Sequence, residues 1–367
     1  MRRIGIIGVG LIGGSLGLVW RNRLDDVEVI GFDDPSVLDR AIERGAIDRG
    51  ADSLKHAVVD ADVVVLATPI RTIVGLLEDI APHLKHGAVV SDVGSVKQPI
   101  TERAHAVLPS HSTFVGGHPM AGSERRGIDY ADTLLFENAT YVLCPPDEAT
   151  AEAFESSHNA FLDLVRVTGA RIILLDPKRH DRIAAVVSHL PQLLAVMLMN
   201  QARQENETDE ACLKLAAGGF RDLTRIASSP FDVWRDILLA NNGPILDVLS
   251  AFATRLQSVR HRMAANEIES IASMFEIARS ARESIPRDTK GFLHPLSDVY
   301  VYAEDRPGEL LSITRILHEA NLNIKDIELL KIREGTGGAF RIGFSDEYTA
   351  DAAATSLTEE GYTAYRL

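Results

Sequence analysis

Met1-Arg2-Arg3-Ile4-Gly5-Ile6-Ile7-Gly8-Val9-Gly10-Leu11-Ile12-Gly13-Gly14-Ser15 opens the chain. A short apolar run enters Gly-x-Gly-x-x-Gly, and an apolar helical pattern follows from Leu16 to Trp20. A glycine turn between strand and helix lets the backbone approach a pyrophosphate and aims the helix N-terminus at its charge. A second apolar run, residues 27–32, ends in Asp33, twenty residues past Gly13. A carboxylate there accepts hydrogen bonds from both adenosine ribose hydroxyls and repels a 2′-phosphate, which favours NAD over NADP. The expected cofactor contacts are Gly8, Gly10, Leu11, Ile12, Gly13 and Asp33, with Thr68 at the end of a later strand.

Working outward, the first 175 residues alternate strand-like runs with helical patterns, the signature of a doubly wound parallel sheet. Residues 61–67 are apolar on both faces and stop at Thr68-Pro69, as a central strand would. Strands are also expected at 88–91, 113–115, 140–143 and 171–175, and a helix at 70–84. From Pro177 apolar residues recur at helical spacing, with long helices expected at 183–201, 244–256 and 267–285. Helices this apolar are hard to bury in one small domain, which points to an intertwined homodimer. Pro286 to Pro295 reads as a linker. Beyond it, strand and helix patterns follow as βαββαβ, with a hairpin turn at Gly335-Thr336-Gly337-Gly338. The expected organisation is a Rossmann-type α/β domain over 1–176, an all-α substrate and dimerisation domain over 177–286, and an α+β unit over 297–367.

Composition narrows the function. The 367 residues are 46% hydrophobic and 25% charged, as in a soluble globular protein. No apolar run reaches the roughly eighteen residues needed to span a bilayer, and the first strand starts too early for a signal peptide. A cytoplasmic protein without a membrane partner is expected. The net charge of −14 argues against nonspecific nucleic-acid binding, while a small anionic substrate would need only a local cluster of Arg and His. Cys144 and Cys212 lie in separate segments, and no HExxH, Cys/His cluster or carboxylate ladder appears, so no metal is implied.

Several segments carry candidate chemistry. Asp92-Val93-Gly94-Ser95-Val96-Lys97 follows a strand on the edge where ligands bind; the plainer reading has Ser95 cap the helix that starts near Gln98. Gly116 to Glu124 places His118 between glycines at another strand end, in a segment too polar for core. Ser188-His189-Leu190-Pro191-Gln192 interrupts an apolar helix with polar residues, a conflict that marks functional sites; alternatively, Pro191 kinks the helix and His189 takes a freed carbonyl. Gly218 to Ala227 joins a glycine pair to Arg221 and Arg225, whose forks suit carboxylates or else a solvated helix face. Trp234-Arg235-Asp236 reads as interface packing.

These motifs, in this order, resemble the prephenate dehydrogenase family along the whole chain. The matching stretches are Gly8 to Ser15, Asp92 to Lys97, Gly117 to Glu124, Ser188 to Pro191 and Gly218 to Ala227. The last unit, with Asp305-Arg306-Pro307-Gly308 after its first strand, resembles an ACT domain. The resemblance implies oxidative decarboxylation of prephenate to 4-hydroxyphenylpyruvate with reduction of NAD, on the route to tyrosine. It makes His118 the base for the substrate 4-hydroxyl and Ser95 its orienting neighbour. Arg225 would clamp a substrate carboxylate, and Ser123, Glu124, His189 and Gly218 would line the pocket. Tyrosine is the implied effector, at Arg306, Pro307, Gly308, Asn323 and Ile324. Many relatives carry His-Leu-Pro-His where this chain ends in Gln192, and a neutral amide supplies no cationic contact; arogenate is therefore the alternative substrate. A β-hydroxyacid dehydrogenase would need a lysine in the helical domain, where Lys214 is the sole candidate beyond the boundary residue Lys178. A non-catalytic sensor of NAD and an amino acid would not need His118.

Overall fold

The structure, a computed structural model, describes residues 2–122, 125–146, 151–284, 296–333 and 337–366. They form two compact units, Met1–Glu276 and Ile277–Leu367. The expected linker at 286–295 and the hairpin residues Gly335 and Thr336 lie outside the described residues.

Strands β1 (Arg2–Ile7), β2 (Val27–Phe32), β3 (Arg49–Gly50), β4 (Val63–Leu66), β5 (Val89–Asp92), β6 (Thr113–Pro119), β7 (Thr140–Cys144) and β8 (Arg171–Leu174) make one sheet. Its order is β3-β2-β1-β4-β5-β6-β7-β8. The order reverses between β1 and β4, and such a switch point opens a crevice at the carboxyl ends of the strands. Every residue of β4 is buried, in keeping with its unbroken apolar run. Helices α1 (Leu11–Arg23), α2 (Pro35–Glu43), α3 (Leu54–Val58), α4 (Ile70–Ile80) and α5 (Gln98–Val107) cross between the parallel strands. Gly8 turns β1 into α1 at φ +91°, where a Cβ would lie 2.6 Å from the Ala67 carbonyl oxygen. Only glycine adopts that conformation against so close a neighbour.

Alternating strands and helices predicted a wholly parallel sheet, but β6 and β7 run antiparallel, with Gly117 opposite Leu143 and His118 opposite Val142. Among the described residues between them, only a 3₁₀ turn, Ile128–Tyr130, interrupts the stretch, and antiparallel neighbours need no crossover helix. Pairing with β7 also carries β6 past the expected end at Val115, so His118 sits inside a strand. α6 (Ala151–Ser157) and α7 (Asn159–Arg166) then lead to β8, which is parallel to β7.

The long apolar helix is longer than its pattern: α8 (Pro177–Ala184) and α9 (Leu190–Asn206) are joined by one widened π turn, Ala185–His189. Pro191 falls in the first turn of α9, where a missing N–H is tolerated. By length and composition Pro177–Asn206 would suffice to cross a bilayer, which the count of uninterrupted apolar residues did not register. His180, Asp181, His189 and Gln192 along it are nevertheless buried in this chain. α10 (Ala211–Lys214), α11 (Gly218–Thr224), α12 (Phe231–Ala240), α13 (Asn242–Ala264) and α14 (Glu269–Glu283) follow. Trp234 and Ile237 of α12 pack into the cluster of Ile70, Ile73 and Ile100, which fastens the helical segment to the sheet domain. Val187, Met197, Leu246, Leu256 and Met263 remain exposed, so the helices keep apolar faces that this chain does not cover.

In the second unit, β9 (Ser297–Ala303), α15 (Glu309–Glu319), β10 (Asp326–Arg333), β11 (Gly337–Phe344), α16 (Glu347–Glu359) and β12 (Ala364–Tyr365) give the expected βαββαβ order. The sheet is β10-β11-β9-β12, all antiparallel. Ile313 and Leu317 of α15 and Ala350, Ala353 and Leu357 of α16 share a core with Val299, Val301, Ile342 and Phe344.

Candidate active site

The crevice at the sheet's switch point is a cleft of about 470 Å³ lined by Leu11, Ile12, Thr68, Ser95, His118 and Gly122, among others. Its cofactor-facing features fit a dinucleotide. No side chain caps α1 and no acid lies in its first turn, so the positive end of the helix is left for a ligand anion. Apart from Gly10 itself and its chain neighbours, no described atom lies within 4 Å of where a Cβ on Gly10 would sit. Among the described residues Thr68 Oγ1 is buried without a hydrogen-bond partner, an orphan that a bound polar group would satisfy. Asp33 is fixed beside the glycine turn: Oδ2 accepts the Val9 N–H (2.7 Å) and Oδ1 accepts the Asp34 N–H (2.7 Å).

Behind His118 lies a buried ion pair. Lys97 and Asp92 are both 0% exposed and bonded to each other. Between them they grip the peptide before the histidine, Asp92 Oδ1 accepting the Gly117 N–H (3.1 Å) and Lys97 Nζ donating to the Gly117 carbonyl. Asp92 Oδ2 also accepts the Gly94 N–H (2.8 Å). With these groups satisfied, the pair's attraction can offset the cost of taking two charges out of water.

Ser95 does not cap α5. The carboxylate of Asp181, from α8, does so instead, accepting the N–H groups of Lys97 (2.7 Å) and Gln98 (2.9 Å). A charged acceptor on two orphan N–H groups is a stronger cap than one hydroxyl, and it leaves Ser95 on the cleft wall. Next to Asp181, His180 Nδ1 lies 2.7 Å from Asp181 Oδ1, and His180 Nε2 lies 2.8 Å from His118 Nδ1. Burial first, and then the neighbouring His180 ring, Lys97 ammonium and His189 ring, hold the His118 imidazole well below its ordinary range, so it is neutral at neutral pH.

His189 is 1% exposed, and burial pushes its ring down to about 4. Asn241 Nδ2 donates both to His189 Nδ1 (3.1 Å) and to the Asp181 carbonyl (2.9 Å). His189 is therefore a neutral ring with its proton on Nε2, a donor rather than a cation. Among the described residues the His189 ring makes no bond to a freed carbonyl; its Nδ1 accepts from Asn241 instead. Trp234, expected at an interface, stands edge-on to His189 within the same chain, ring centroids 5.9 Å apart. Gln192 is buried and donates to the Ile226 carbonyl (3.0 Å), bracing the turn that carries Arg225.

The other expected site residues are not gathered here. Gly218 and Arg225 are exposed and do not line the cleft, and Ser123 and Glu124 lie outside the described residues. In the second unit Arg306 and Gly308 line a separate cavity of about 360 Å³, where Arg306 pairs with Glu304 and Glu309. Pro307, Asn323 and Ile324 are not among its lining residues, and Ile324 packs on the core. Reading the sequence missed His180, Asp181 and Asn241, and left Asp92 and Lys97 without a role. The available signal was His-Asp early in a helix whose later turns are apolar.

Residues 16–174 match the family model described as the prephenate dehydrogenase nucleotide-binding domain, and residues 176–277 match the prephenate dehydrogenase dimerization domain. The chain is 36% identical over 345 residues to prephenate dehydrogenase of Bacillus subtilis (strain 168), covering 93% of this chain and 92% of that one. Prephenate dehydrogenase from A. aeolicus, solved in complex with hydroxyphenyl propionate and NAD+, superposes with a TM-score of 0.70 at 28% identity, over 78% of this chain and 99% of that one. Synechocystis arogenate dehydrogenase gives a TM-score of 0.68 at 30% identity, over 77% and 100%. With a dinucleotide-type cleft, a strand-borne histidine facing it and a helical segment packed alongside, the chain belongs to the prephenate dehydrogenase family of oxidoreductases.

Proposed function

We propose that this chain oxidatively decarboxylates prephenate to 4-hydroxyphenylpyruvate, using NAD. The observation that carries the reading is that His118, a neutral imidazole, lines one cleft together with Leu11 and Ile12 of the glycine turn. Gly8, Gly10, Gly13 and Thr68 would hold the cofactor, and Asp33 its adenosine ribose. When bound, NAD accepts the hydride from the carbon that bears the substrate hydroxyl. His118 takes the hydroxyl proton as that carbon is oxidised and holds it while the ring carboxylate leaves as CO2. The proton can then return to the phenolate oxygen, so the step balances without a net proton. General base catalysis of this kind contributes about 10²–10⁴-fold. Ser95, on the same wall, orients the hydroxyl or the imidazole, and His189 offers a neutral donor.

Arg225 binds a substrate carboxylate as a bidentate fork. Because Arg225 and Gly218 are exposed in the single chain, a second copy supplies the missing wall, in line with the dimerization model matched by this segment. Gln192 gives one amide N–H to the backbone and, being neutral, supplies no cationic contact to the substrate side chain. The charge that selects between a keto acid and an amino acid then rests with Arg225, which favours prephenate over arogenate. In the second unit, tyrosine in the cavity beside Arg306 and Gly308 is the proposed feedback inhibitor.

An NADH absorbance assay with each substrate tests the reading. Turnover of prephenate well above arogenate is expected; the reverse would make this an arogenate dehydrogenase. NAD binding with neither activity would support the non-catalytic sensor. Added tyrosine should slow the full-length protein, and an Arg306→Ala variant less.

A further inference from the structure

We propose that His180 and Asp181 are positioning residues that hold His118 in the tautomer with a bare Nε2 and receive the positive charge when that nitrogen is protonated. The inference rests on the reading of His118 as the base.

Asp181 is 1% exposed and fully engaged: its carboxylate accepts the N–H groups of Lys97 and Gln98 at the start of α5 and contacts His180 Nδ1. It is anchored from two elements and cannot rotate away. An ionised carboxylate only accepts, so the proton of that 2.7 Å contact sits on His180 Nδ1. With His180 neutral, its Nε2 carries a lone pair. The 2.8 Å contact to His118 Nδ1 then requires the proton on His118. One order of donors satisfies the whole chain: His118 Nδ1–H to His180, and His180 Nδ1–H to Asp181. His118 Nε2 is left bare, on a residue that lines the cleft.

The same chain gives the charge somewhere to go. When Nε2 accepts the substrate proton, the Nδ1–H bond of His118 can break as an Nε2–H bond forms on His180. No atom is oxidised or reduced. The cation then lies against the Asp181 carboxylate instead of on a ring that faces the Lys97 ammonium, whose charge opposes it there. The logic is that of an acid–histidine pair behind a nucleophile, lengthened by one imidazole. His180 is 2% exposed, so water does not compete for the link.

Imidazole ¹⁵N spectra of the full-length protein read the tautomer directly, with the His118 signals assigned by their loss in His118→Asn. A protonated Nδ1 and bare Nε2 at neutral pH are expected; a protonated Nε2 overturns the proposal. In kinetics, His180→Gln keeps an acceptor for His118 but has no ring to take the proton, and Asp181→Asn can present an N–H that reverses the order. Each should lower kcat by about 10²-fold with KM nearly unchanged, and should move the acidic limb of the kcat–pH profile. Wild-type kcat in both variants overturns the proposal. If Asp181→Asn unfolds because α5 loses its cap, the wild-type spectrum and His180→Gln still decide. Failure of the functional reading looks different: the wild-type protein would turn over neither substrate, whatever its spectrum showed.

Discussion

Along the sheet edge, Asp92, Lys97, His180 and Asp181 are each at most 2% exposed and are tied to one another or to backbone N–H groups. On the neighbouring helices, Gly218 and Arg225 lie in the open and Leu223 is 67% exposed. The proposed reacting end of the site is thus assembled by one chain during folding, where buried charges demand partners and so fix geometry. The proposed substrate-holding end is exposed in the single chain. Its residues were as conspicuous in the sequence, but their setting depends on what covers them.

The sharpest way to break this contrast is to remove a charge from the buried side. Lys97→Met leaves the buried Asp92 carboxyl without its partner, and the expected loss is about 3–5 kcal/mol of unfolding free energy, seen as a lower urea midpoint. A loss under about 1 kcal/mol would show that the pair does not organise the site. On the open side, Arg225→Ala should barely affect stability but raise KM for prephenate about 10–100-fold, as for a charge-assisted hydrogen bond. An unchanged KM would move the clamp to Arg221. A third test is pH dependence. The folded-state pKa of His118 is depressed, and that of His189 lies at about 4, against about 6.5 in an unfolded chain. Their contribution is complete above about pH 6.5 and is lost as pH falls toward 4, by up to about 1.4 kcal/mol per pH unit for each ring. The slope should shrink in His189→Asn; an unaltered slope would place the acid sensitivity elsewhere.

Legibility in the sequence followed the range of the interaction. The glycine turn, Asp33 and the buried β4 are local patterns, and they stand where their spacing put them. The antiparallel β6–β7 pair was not legible, because strand direction depends on a reversal through a long irregular segment. His180 meets His118 across 62 positions, and Lys97 meets Asp181 across 84. Neither pairing leaves a periodicity to find. Ser95 shows the opposite failure: a good local cap was plausible, and a distant carboxylate with more charge took the place.

The most direct test of the account is steady-state kinetics of His118→Asn with prephenate and NAD. A base used only as the hydroxyl proton is drawn off predicts a kcat lower by about 10²–10⁴-fold with KM nearly unchanged. Turnover close to that of the wild-type protein would contradict it and remove the strand-borne histidine from the chemistry.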